Sequence, residues 1–465
     1  MFDELKKYSK QNICPMHMPG HKRNTELLGN DLPYDIDITE IEGFDNLHNP
    51  NGLIEEIQLK AQTLFNAKKS FLLVNGSTCG ILSAIRSVCS FGDKILVARN
   101  CHRSVYNVIE LLGLEPVYIM PETDDFFGFY MQVEPKDIMY ALENHRNIKA
   151  VVITSPTYEG IISNLREISE ITKGYSVPII VDSAHGAHLS AVCNKAYYQD
   201  LSCADIAVLS LHKTLPVLTQ CGLLNCNSDL IDINRLKNSL SIFQTSSPSY
   251  VLMSSVDKCL SVLEYKGEQL FTHYYKSLDD FYNRAKNLNH LRLFYQNKNF
   301  DIGKIIIGTQ NTNITGVELG DILRKNYLIE TEMSSLNYII AMTSICDKDS
   351  TFVRLLNALI DIDKTLTESD IDKSCLLPMS IPKKKTNPSN VENAKKLTVP
   401  LENAEGRVSG EYIYAYPPGI PMIVPGEVFD KDTVSIIQSY IKGKVNVLTS
   451  AAPIQNGVVT ALLTD

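Results

Sequence analysis

Four places in this chain combine residue types that could do chemistry, and each follows an apolar run. Asp182 ends "PIIVD", Lys213 follows "IAVLSLH", His102 follows "KILVARNC", and residues 76–78 read Gly-Ser-Thr after "SFLLVN". A buried carboxylate needs a cationic or protonated partner, because burying it alone is strongly unfavourable. A lysine amine can form a covalent bond with a carbonyl group. If the four groups meet, they form a site.

Each group also has an ordinary structural interpretation. Serine and threonine are the commonest residues at the start of a helix, so residues 76–78 indicate either an anion site or a helix cap. They do not form a Walker motif, since no Gly-Lys-Ser/Thr follows. A lone histidine such as His102 is more often structural than functional, and Asp182 could cap the turn that follows it.

The elements that must position these groups are short apolar strands that alternate with helical patterns. In the helical pattern after the first strand, Ile81, Ala84, Ile85 and Val88 keep the spacing of one helix face. The strands are nearly all apolar, as strands covered on both faces of a parallel sheet are, and they occupy residues 70–74, 94–98, 150–154, 178–182 and 206–210. The alternation predicts an α/β fold with a mostly parallel sheet and crossover helices.

Ligands of open α/β sheets bind outside the carboxyl ends of the strands, and all four groups follow such ends. The 31 residues from Asp182 to Lys213 leave room for one helix and the next strand. An anion site, a flat imidazole, a buried carboxylate and a lysine are the groups that pyridoxal phosphate requires for its phosphate, ring, ring nitrogen and aldehyde. The sequence therefore predicts this cofactor, with Ser210 and His212 beside Lys213.

Composition and charge argue against several other classes. The formal net charge of −9 over 465 residues argues against non-specific nucleic-acid binding. No apolar run is long enough for a membrane-spanning helix, and the first residues lack the apolar core of a signal peptide. The 11 cysteines include no CxxC pair, and His185 and His188 have no third ligand in register. We therefore expect reduced thiols, a cytoplasmic protein and no metal site.

The rhythm of strands and helices changes after about residue 265. We expect an N-terminal segment at 1–35, a large cofactor-binding domain at 36–265 and a smaller α+β C-terminal part at 266–465. The Pro- and Lys-rich stretch 378–390 is typical of a loop or linker, with its three lysines in a solvated turn. The Pro- and Gly-rich run 414–427 predicts a rigid loop.

Several stretches together resemble the bacterial ornithine/lysine/arginine decarboxylases, which are fold-type-I pyridoxal-phosphate enzymes with the aspartate-aminotransferase fold. Single stretches are unspecific, but the combination is highly specific. The stretches are "HMPGHKR" (17–23), "DITEIEGFDNLHNPNGLIEEIQ" (37–58), "FLLVNGSTCGI" (71–81), "DSAHGAH" (182–188), "SLHKTLPVLTQ" (210–220), "TSSPSY" (245–250) and "YPPGIPMIVPGE" (416–427).

The resemblance implies roles for individual residues. Lys213 matches the Schiff-base lysine, Asp182 the partner of the pyridine nitrogen and His102 the imidazole stacked on the ring. Glu427 falls where the family has a glutamate near the substrate. The implied cofactor-binding residues are Gly76, Ser77, Thr78, His102, Asp182, His185, Ser210, His212, Lys213, Thr245 and Ser246.

The resemblance implies decarboxylation of a basic L-amino acid, with arginine favoured over lysine and ornithine, to agmatine, cadaverine or putrescine and CO2. The product would serve polyamine biosynthesis. Lys213 or His212 would return a proton to Cα. Glu427 is the first candidate for the carboxylate that binds the distal cation of the substrate, and Glu40 and Asp45 follow.

Two other functions stay open on the residues alone. An aminotransferase on the same fold would keep Asp182 and Lys213 and bind the α-carboxylate through an arginine, for which Arg407 is available. A non-catalytic relative would have lost Asp182 or Lys213, and both are present in this sequence.

The resemblance also bears on assembly. The "TSSP" segment at 245–248 reaches a neighbouring subunit's phosphate in the family, which implies a homodimer with shared active sites or a larger assembly. Long members carry an N-terminal wing domain, and this sequence is similar to the short form.

Overall fold

The computed structural model describes residues 1–11, 13–191, 198–296, 298–369, 380–450, 454 and 457–463. In chain order, its helices are α1 (Phe2–Ser9), α2 (Thr25–Leu28), α3 (Leu53–Leu64), α4 (Gly76–Val88), α5 (Arg103–Leu111), α6 (Pro135–Asn144), α7 (Leu165–Gly174), α8 (Ala187–Ser190), α9 (Leu211–Thr214), α10 (Ile233–Phe243), α11 (Tyr250–Ala285), α12 (Gly316–Tyr327), α13 (Asp349–Asp363) and α14 (Lys431–Lys442). Short 3-10 turns occupy Leu201–Cys203, Pro388–Asn390 and Leu401–Asn403.

The strands, also in chain order, are β1 (Lys69–Leu73), β2 (Lys94–Ala98), β3 (Glu115–Ile119), β4 (Ile148–Thr154), β5 (Ile179–Asp182), β6 (Ile206–Ser210), β7 (Gly222–Cys226), β8 (Arg292–Leu293), β9 (Lys304–Gly308), β10 (Met333–Ser334), β11 (Tyr338–Met342), β12 (Lys396–Pro400), β13 (Ile413–Ala415), β14 (Ile420–Ile423), β15 (Val447–Thr449) and β16 (Val458–Leu462).

Packing divides the chain into two compact units. The first unit is Met1–Val88 with Pro178–Phe271, and the second unit is Cys89–Val177 with Thr272–Asp465. The predicted boundary near residue 265 stays a prediction.

In the first unit the strands lie in the order β1-β7-β6-β5. Strands β5 and β6 are parallel, with Asp182 opposite Val208. Strand β7 is antiparallel to both β6 and β1, so β1 runs in the same direction as β6. The carboxyl ends of β1, β5 and β6 therefore lie at one edge, and the turns that carry residues 76–78, Asp182 and Lys213 begin there.

Helix α4 packs closely on these strands because Gly80 has no side chain. A Cβ at this position would lie 2.6 Å from Leu73 Cδ1 and 2.7 Å from Val208 Cγ1, which is closer than carbon atoms approach in folded proteins. Val208 lies on β6, where it is 0% exposed. The close packing holds the amino end of α4 beside the ends of β1 and β6.

In the second unit, β4, β2 and β3 are neighbours in that order, and β2 is parallel to both of the others. The C-terminal part of this unit contains antiparallel sheets in the orders β10-β11-β9-β8, β14-β13-β15 and β12-β16. The last two pack on α14 through an apolar cluster that includes Ile413, Ile423, Phe429 and Ile437, all 0% exposed.

The predicted α/β class is confirmed, and the five predicted strands correspond to β1, β2, β4, β5 and β6. The sequence interpretation missed β3 and β7. Strand β7 begins with Gly222 and contains Asn225, residue types that are depleted in strands. Burial of Asn225 is compensated by a hydrogen bond with the Ser70 hydroxyl, 2.7 Å away.

The stretch 380–390 is held by backbone pairing, and residues 378 and 379 lie outside the described residues. The Lys385 N–H donates to the Gly426 carbonyl at 2.8 Å, and the Val428 N–H donates to the Lys383 carbonyl at 2.9 Å. Lys384 Nζ donates to the Pro116 carbonyl at 3.1 Å, and burial lowers the pKa of Lys384. Lys383, Lys384 and Lys385 are all exposed, as the predicted solvated turn requires, and the Lys384 amine in addition contacts β3 at Pro116.

Across the described part of the chain, no helix is both long and apolar enough to cross a membrane. The same residues contain no cluster of potential ligands for a metal ion.

Candidate active site

Lys213 lies on the short helix α9, which begins as soon as β6 ends at Ser210. Its Nζ is 3.0 Å from His185 Nε2, within hydrogen-bond distance. His185 belongs to the turn that follows β5, so the parallel neighbours β5 and β6 bring the two side chains together. His185 is 6% exposed, which places this contact inside the unit.

Asp182 is the last residue of β5 and is 3% exposed. One of its oxygens accepts a hydrogen bond from the Ala184 N–H at 3.1 Å. Within the described residues, this carboxylate has no cationic partner. A buried carboxylate without a counter-charge favours a ligand that brings a proton or a positive charge to it.

Ser210 is the last residue of β6, and His212 lies on α9. The Ser210 side chain is 0% exposed, and its hydroxyl has no hydrogen-bond partner among the described residues. His212 lies 2.8 Å from the Cys221 carbonyl through Nδ1, which therefore carries a proton. Burial lowers the pKa of His212, and Lys213 adds to this effect. His212 is thus held neutral and oriented, while the Ser210 hydroxyl is available to a ligand.

Residues 76–78 form the first turn of α4. Gly76 has a φ of +75°, which glycine adopts without strain, and its N–H donates to the Gln220 carbonyl at 2.9 Å. Gln220 precedes Cys221, the residue that holds His212, so the turns after β1 and β6 meet at the same loop. Ser77 is half-buried and Thr78 is exposed, and both lie at a helix N-terminus where backbone N–H groups favour an anion.

The 244–248 segment lies beside the same turn. Gln244 accepts a hydrogen bond from the Val74 N–H at 3.0 Å, and the Thr245 N–H donates to Asn75 Oδ1 at 3.1 Å. Thr245 and Ser246 are exposed. These contacts fix the predicted "TSSP" segment next to Gly76. Gln244 and Asn75 were missed in the sequence, although an amide residue just before the Gly-Ser-Thr turn was a visible signal.

These residues of the first unit fit pyridoxal phosphate. A phosphate needs hydrogen-bond donors that are not already engaged, and the buried Ser210 hydroxyl and the N-terminal turn of α4 provide them. A pyridine nitrogen needs a buried carboxylate, and Asp182 provides it. An aldehyde needs a lysine amine, and Lys213 provides it at the same sheet edge.

The loop at 45–52 is built on Asp45, which has a φ of +69°. Its carboxylate accepts hydrogen bonds from the N–H groups of Asn46, Asn51, Gly52 and Ile54 at 2.7–2.9 Å. Burial alone would raise the pKa of Asp45, but these N–H groups lower it. Asp45 is therefore a structural residue of the loop and is not available to a cationic substrate.

Two contacts join the 45–52 loop to the 244–248 segment and to α11. His48 Nε2 lies 2.8 Å from the Thr245 carbonyl, and the Tyr250 hydroxyl donates to the Asp45 carbonyl at 2.6 Å. Burial raises the pKa of Tyr250, and Glu40 and Asp45 raise it further. Glu40 is half-buried, one of its oxygens is closed to solvent, and its carboxylate forms no hydrogen bond with a described residue.

His102 belongs to the second unit, where it caps α5. Its Nδ1 accepts a hydrogen bond from the Ser104 N–H at 3.2 Å. The turn at 416–419, between β13 and β14, lies against its ring: a Cβ on Gly419 would be 3.5 Å from both Cδ2 and Nε2 of His102. The Arg103 N–H also donates to the Gly419 carbonyl at 3.2 Å. The run 414–427 was predicted as a rigid loop, but it contains the end of β13 and all of β14, and the turn between these strands packs on the predicted stacking histidine.

Glu427 also belongs to the second unit and is 0% exposed. Its Oε2 accepts hydrogen bonds from Arg99 Nη2 at 3.1 Å and from the Val424 N–H at 2.9 Å. Burial raises the pKa of Glu427, and Arg99 opposes this shift. The predicted contact between Glu427 and a substrate stays a prediction, but the carboxylate already has a cationic partner. The sequence interpretation missed Arg99, although an arginine near the end of an apolar strand was a visible signal.

Of the predicted site residues, the first unit contains Gly76, Ser77, Thr78, Asp182, His185, Ser210, His212, Lys213, Thr245 and Ser246. The second unit contains His102 and Glu427.

The family model of the Orn/Lys/Arg decarboxylase major domain matches residues 1–311, and that of the C-terminal domain of the same family matches residues 373–448. The chain belongs to the Orn/Lys/Arg decarboxylase family. The predicted resemblance is thereby confirmed. The family consists of pyridoxal-phosphate-dependent enzymes, and several structural neighbours of this chain are such enzymes as well.

Individual relatives agree with the family assignment. An arginine decarboxylase of Bacillus anthracis is 30% identical over 95% of this chain and 93% of its own length. An arginine decarboxylase of Bacillus subtilis is 31% identical over 94% of this chain and 92% of its own length. Among solved structures, the Francisella novicida lysine decarboxylase LdcF superposes with a TM-score of 0.84 at 18% identity, covering 99% of this chain and 80% of that one. The last match shows the shared fold.

Proposed function

We propose that this family member is a pyridoxal-phosphate-dependent decarboxylase of a basic L-amino acid, with arginine as its first substrate. The observation that carries the proposal is the sheet edge of the first unit, where a lysine, a buried carboxylate without a cationic partner and an unengaged buried hydroxyl lie together. The two Bacillus relatives named arginine decarboxylase support arginine over lysine and ornithine.

Each part of the cofactor has a proposed partner. The α4 turn at Gly76, Ser77 and Thr78 would hold the phosphate together with Ser210, and the Lys213 amine would hold the aldehyde group. Asp182 keeps a proton on the ring nitrogen, since a buried carboxylate gains its missing counter-charge in this way. When bound, pyridoxal phosphate supplies an electron-accepting ring that stabilises the charge left on Cα after CO2 departs.

Lys213 is the proposed donor of the proton that Cα receives. His185 Nε2, at 3.0 Å, can exchange a proton with the Lys213 amine. His212 is a poorer donor, because burial lowers its pKa and its Nδ1 proton is engaged by the Cys221 carbonyl. His212 therefore orients the turn, and Lys213 moves the proton.

Glu40 is the proposed partner of the distal guanidinium or ammonium group. Of the three candidate carboxylates, Glu427 is paired with Arg99 and Asp45 is occupied by backbone N–H groups. The Glu40 carboxylate makes no hydrogen bond within the described chain, so a cationic ligand would satisfy it.

The aminotransferase alternative has less support. Arg407, the candidate for binding an α-carboxylate, is exposed and donates to the Asn403 carbonyl at 3.1 Å. The decisive experiment incubates the holoenzyme with arginine, lysine and ornithine separately, and measures both amine and keto acid. Release of CO2 with agmatine as the main product is expected. A keto acid instead of an amine would establish the aminotransferase, and no turnover of any of the three would refute the proposal.

The resemblance also supports a homodimer with shared sites, a cytoplasmic location and a role in polyamine formation. Light scattering of the holoenzyme should give at least twice the chain mass of 52.0 kDa. A monomer that is fully active would exclude shared sites.

A further inference from the structure

Arg99 is a cationic side chain enclosed in the second unit, with 2% exposure. Its Nη1 donates to the Tyr106 hydroxyl at 3.0 Å and to the Pro421 carbonyl at 2.7 Å. Its guanidinium carbon lies 5.5 Å from the ring centres of both Tyr106 and Tyr118. These rings replace part of the hydration that burial removes. An arginine in such a setting is held in one orientation.

The other end of the guanidinium faces the 416–427 segment. Nη2 donates to Glu427 Oε2 at 3.1 Å and lies 3.4 Å from the Met422 carbonyl. Glu427 Oε2 in turn accepts the Val424 N–H at 2.9 Å. The Arg99–Glu427 pair thus binds the backbone of this segment at residues 421, 422 and 424.

The same segment touches His102 at its other end. Gly419 lies beside the His102 ring, and its carbonyl accepts the Arg103 N–H at 3.2 Å. Arg103 Nη1 also donates to the Tyr414 hydroxyl at 2.5 Å. Arg99 and Arg103 therefore flank His102 in the sequence, and both hold the chain that packs against it.

We infer that Arg99 and Glu427 are positioning residues that hold the 416–427 segment against His102, and that Glu427 serves the reaction through this segment without touching the substrate. The side chain of Glu427 is 0% exposed, and its second oxygen, Oε1, is closed to solvent, so a substrate cation cannot reach it in this arrangement. The link to catalysis rests on the proposed function through His102. The role of Arg99 and Glu427 in holding the 416–427 segment does not depend on the proposed function.

The first arm of the test measures hydrogen–deuterium exchange of peptides from 416–427 in the cofactor-free protein. Arg99→Lys keeps the charge but loses the planar fork that bonds two carbonyls and a carboxylate together. Exchange of these peptides should become about ten- to a hundredfold faster. Glu427→Gln keeps the size and an accepting oxygen, so a smaller increase, about three- to tenfold, is expected.

Tyr412→Phe is the matched control for this arm. It removes the hydrogen bonds of the Tyr412 hydroxyl to Glu110 at 2.9 Å and to the Tyr106 carbonyl at 3.5 Å, and keeps the ring that packs near Arg103. It should leave exchange in 416–427 within about twofold of the wild type. Unchanged exchange in both Arg99→Lys and Glu427→Gln would overturn the inference, and Glu427→Gln keeps the test decisive if Arg99→Lys does not fold.

The second arm compares kinetics and cofactor absorbance of the holoenzymes. In both variants kcat for arginine should fall about tenfold, the absorbance band should shift, and KM should change less than about threefold. A Glu427→Gln enzyme with a raised KM for arginine, an unchanged KM for norvaline and unchanged exchange would show that Glu427 contacts the substrate. If the wild type has no activity at all, the proposed function fails, while the exchange arm still decides the positioning role.

Discussion

Two buried carboxylates, Asp182 in the first unit and Glu427 in the second, are in different states. Asp182 accepts one hydrogen bond from the backbone and has no cationic partner among the described residues. Glu427 is paired with Arg99 and accepts a backbone N–H as well. Burial alone therefore does not identify a functional acid. Asp182 can take its missing counter-charge from a ligand, whereas Glu427 already has one and holds the fold.

The difference extends to the surroundings of the two residues. Around Asp182, the Ser210 hydroxyl also has no hydrogen-bond partner within the described chain, and the half-buried Lys213 lies beside His185. Around Glu427, two tyrosine rings and two carbonyls enclose the arginine. Variants near Asp182 should therefore reduce activity more than stability, and variants of packed residues should do the reverse.

The largest effect is expected for Lys213→Ala. Turnover of arginine should fall about ten-thousandfold, because the proposed proton donor and the covalent bond to the cofactor are lost together. Unfolding free energy should change by no more than about 1 kcal/mol, since the side chain is half-buried. Borohydride reduction should no longer trap the cofactor. Lys237→Ala, an exposed lysine on α10, is the control, and a covalent adduct in Lys213→Ala would refute the assignment.

Asp182→Asn tests whether the buried acid is functional. Turnover should fall about a hundred- to a thousandfold, because an amide cannot keep the ring nitrogen protonated. Asp205→Asn is the matched control: Asp205 is 1% exposed, directly precedes β6 and accepts the Ile179 N–H at 2.7 Å. The control should retain most of the activity. Equal losses of turnover in the two variants would remove the distinction between them.

Glu40→Gln should lower kcat/KM for arginine about ten- to a hundredfold, since the distal cation loses its charged partner. The kcat/KM for norvaline, which has no distal cation, should not change. Glu42→Gln, an exposed glutamate on the same loop, should behave as the wild type. A parallel loss for arginine and norvaline would show that Glu40 acts on the fold of the loop.

Gly80→Ala addresses packing in the first unit. The added Cβ would meet Leu73 and Val208 at 2.6 and 2.7 Å, so the free energy of unfolding should fall by about 1–3 kcal/mol. Gly267→Ala, on α11, would have its nearest contact with Leu263 at 3.8 Å and should be neutral or stabilising by about 0.5–1 kcal/mol. Denaturant titration of both proteins measures this. Equal stability of the two variants would mean that α4 can move away from the sheet.

The smallest effect is expected for the pH dependence contributed by His212. Burial lowers the pKa of His212 in the folded chain below 6.5, so the unfolded chain binds the proton first on acidification. The resulting stability is fully present above pH 6.5 and is lost as the pH falls through the lower folded value. His212→Gln should flatten the loss of stability of the cofactor-free protein in this window. His145→Gln, at an exposed position, should not, and an unaltered pH profile in His212→Gln would contradict the explanation.

Much of the first unit's site could be predicted because its signals are local. Apolar runs of four or five residues end in Asp182 and Ser210, and the residues that follow them are read directly from the sequence. Strand β7 was missed, and with it the loop at Gln220 and Cys221 that joins the turns after β1 and β6. The contact of the exposed Lys384 with the Pro116 carbonyl of β3 was also missed, because its lysine-rich neighbourhood carries no signal of β3.

The sequence by itself determined the α/β class, the family and the residue types at the strand ends, because hydrophobic periodicity and strand-end polarity are properties of short stretches. The tertiary structure decided which acids are engaged. Arg99 and Glu427 are 328 residues apart, and neither residue carries a local signal of the other. This pair forms only when the segment that carries Glu427 packs beside the end of β2, where Arg99 lies. Whether a buried acid has a cationic partner therefore depends on tertiary packing that no short stretch encodes.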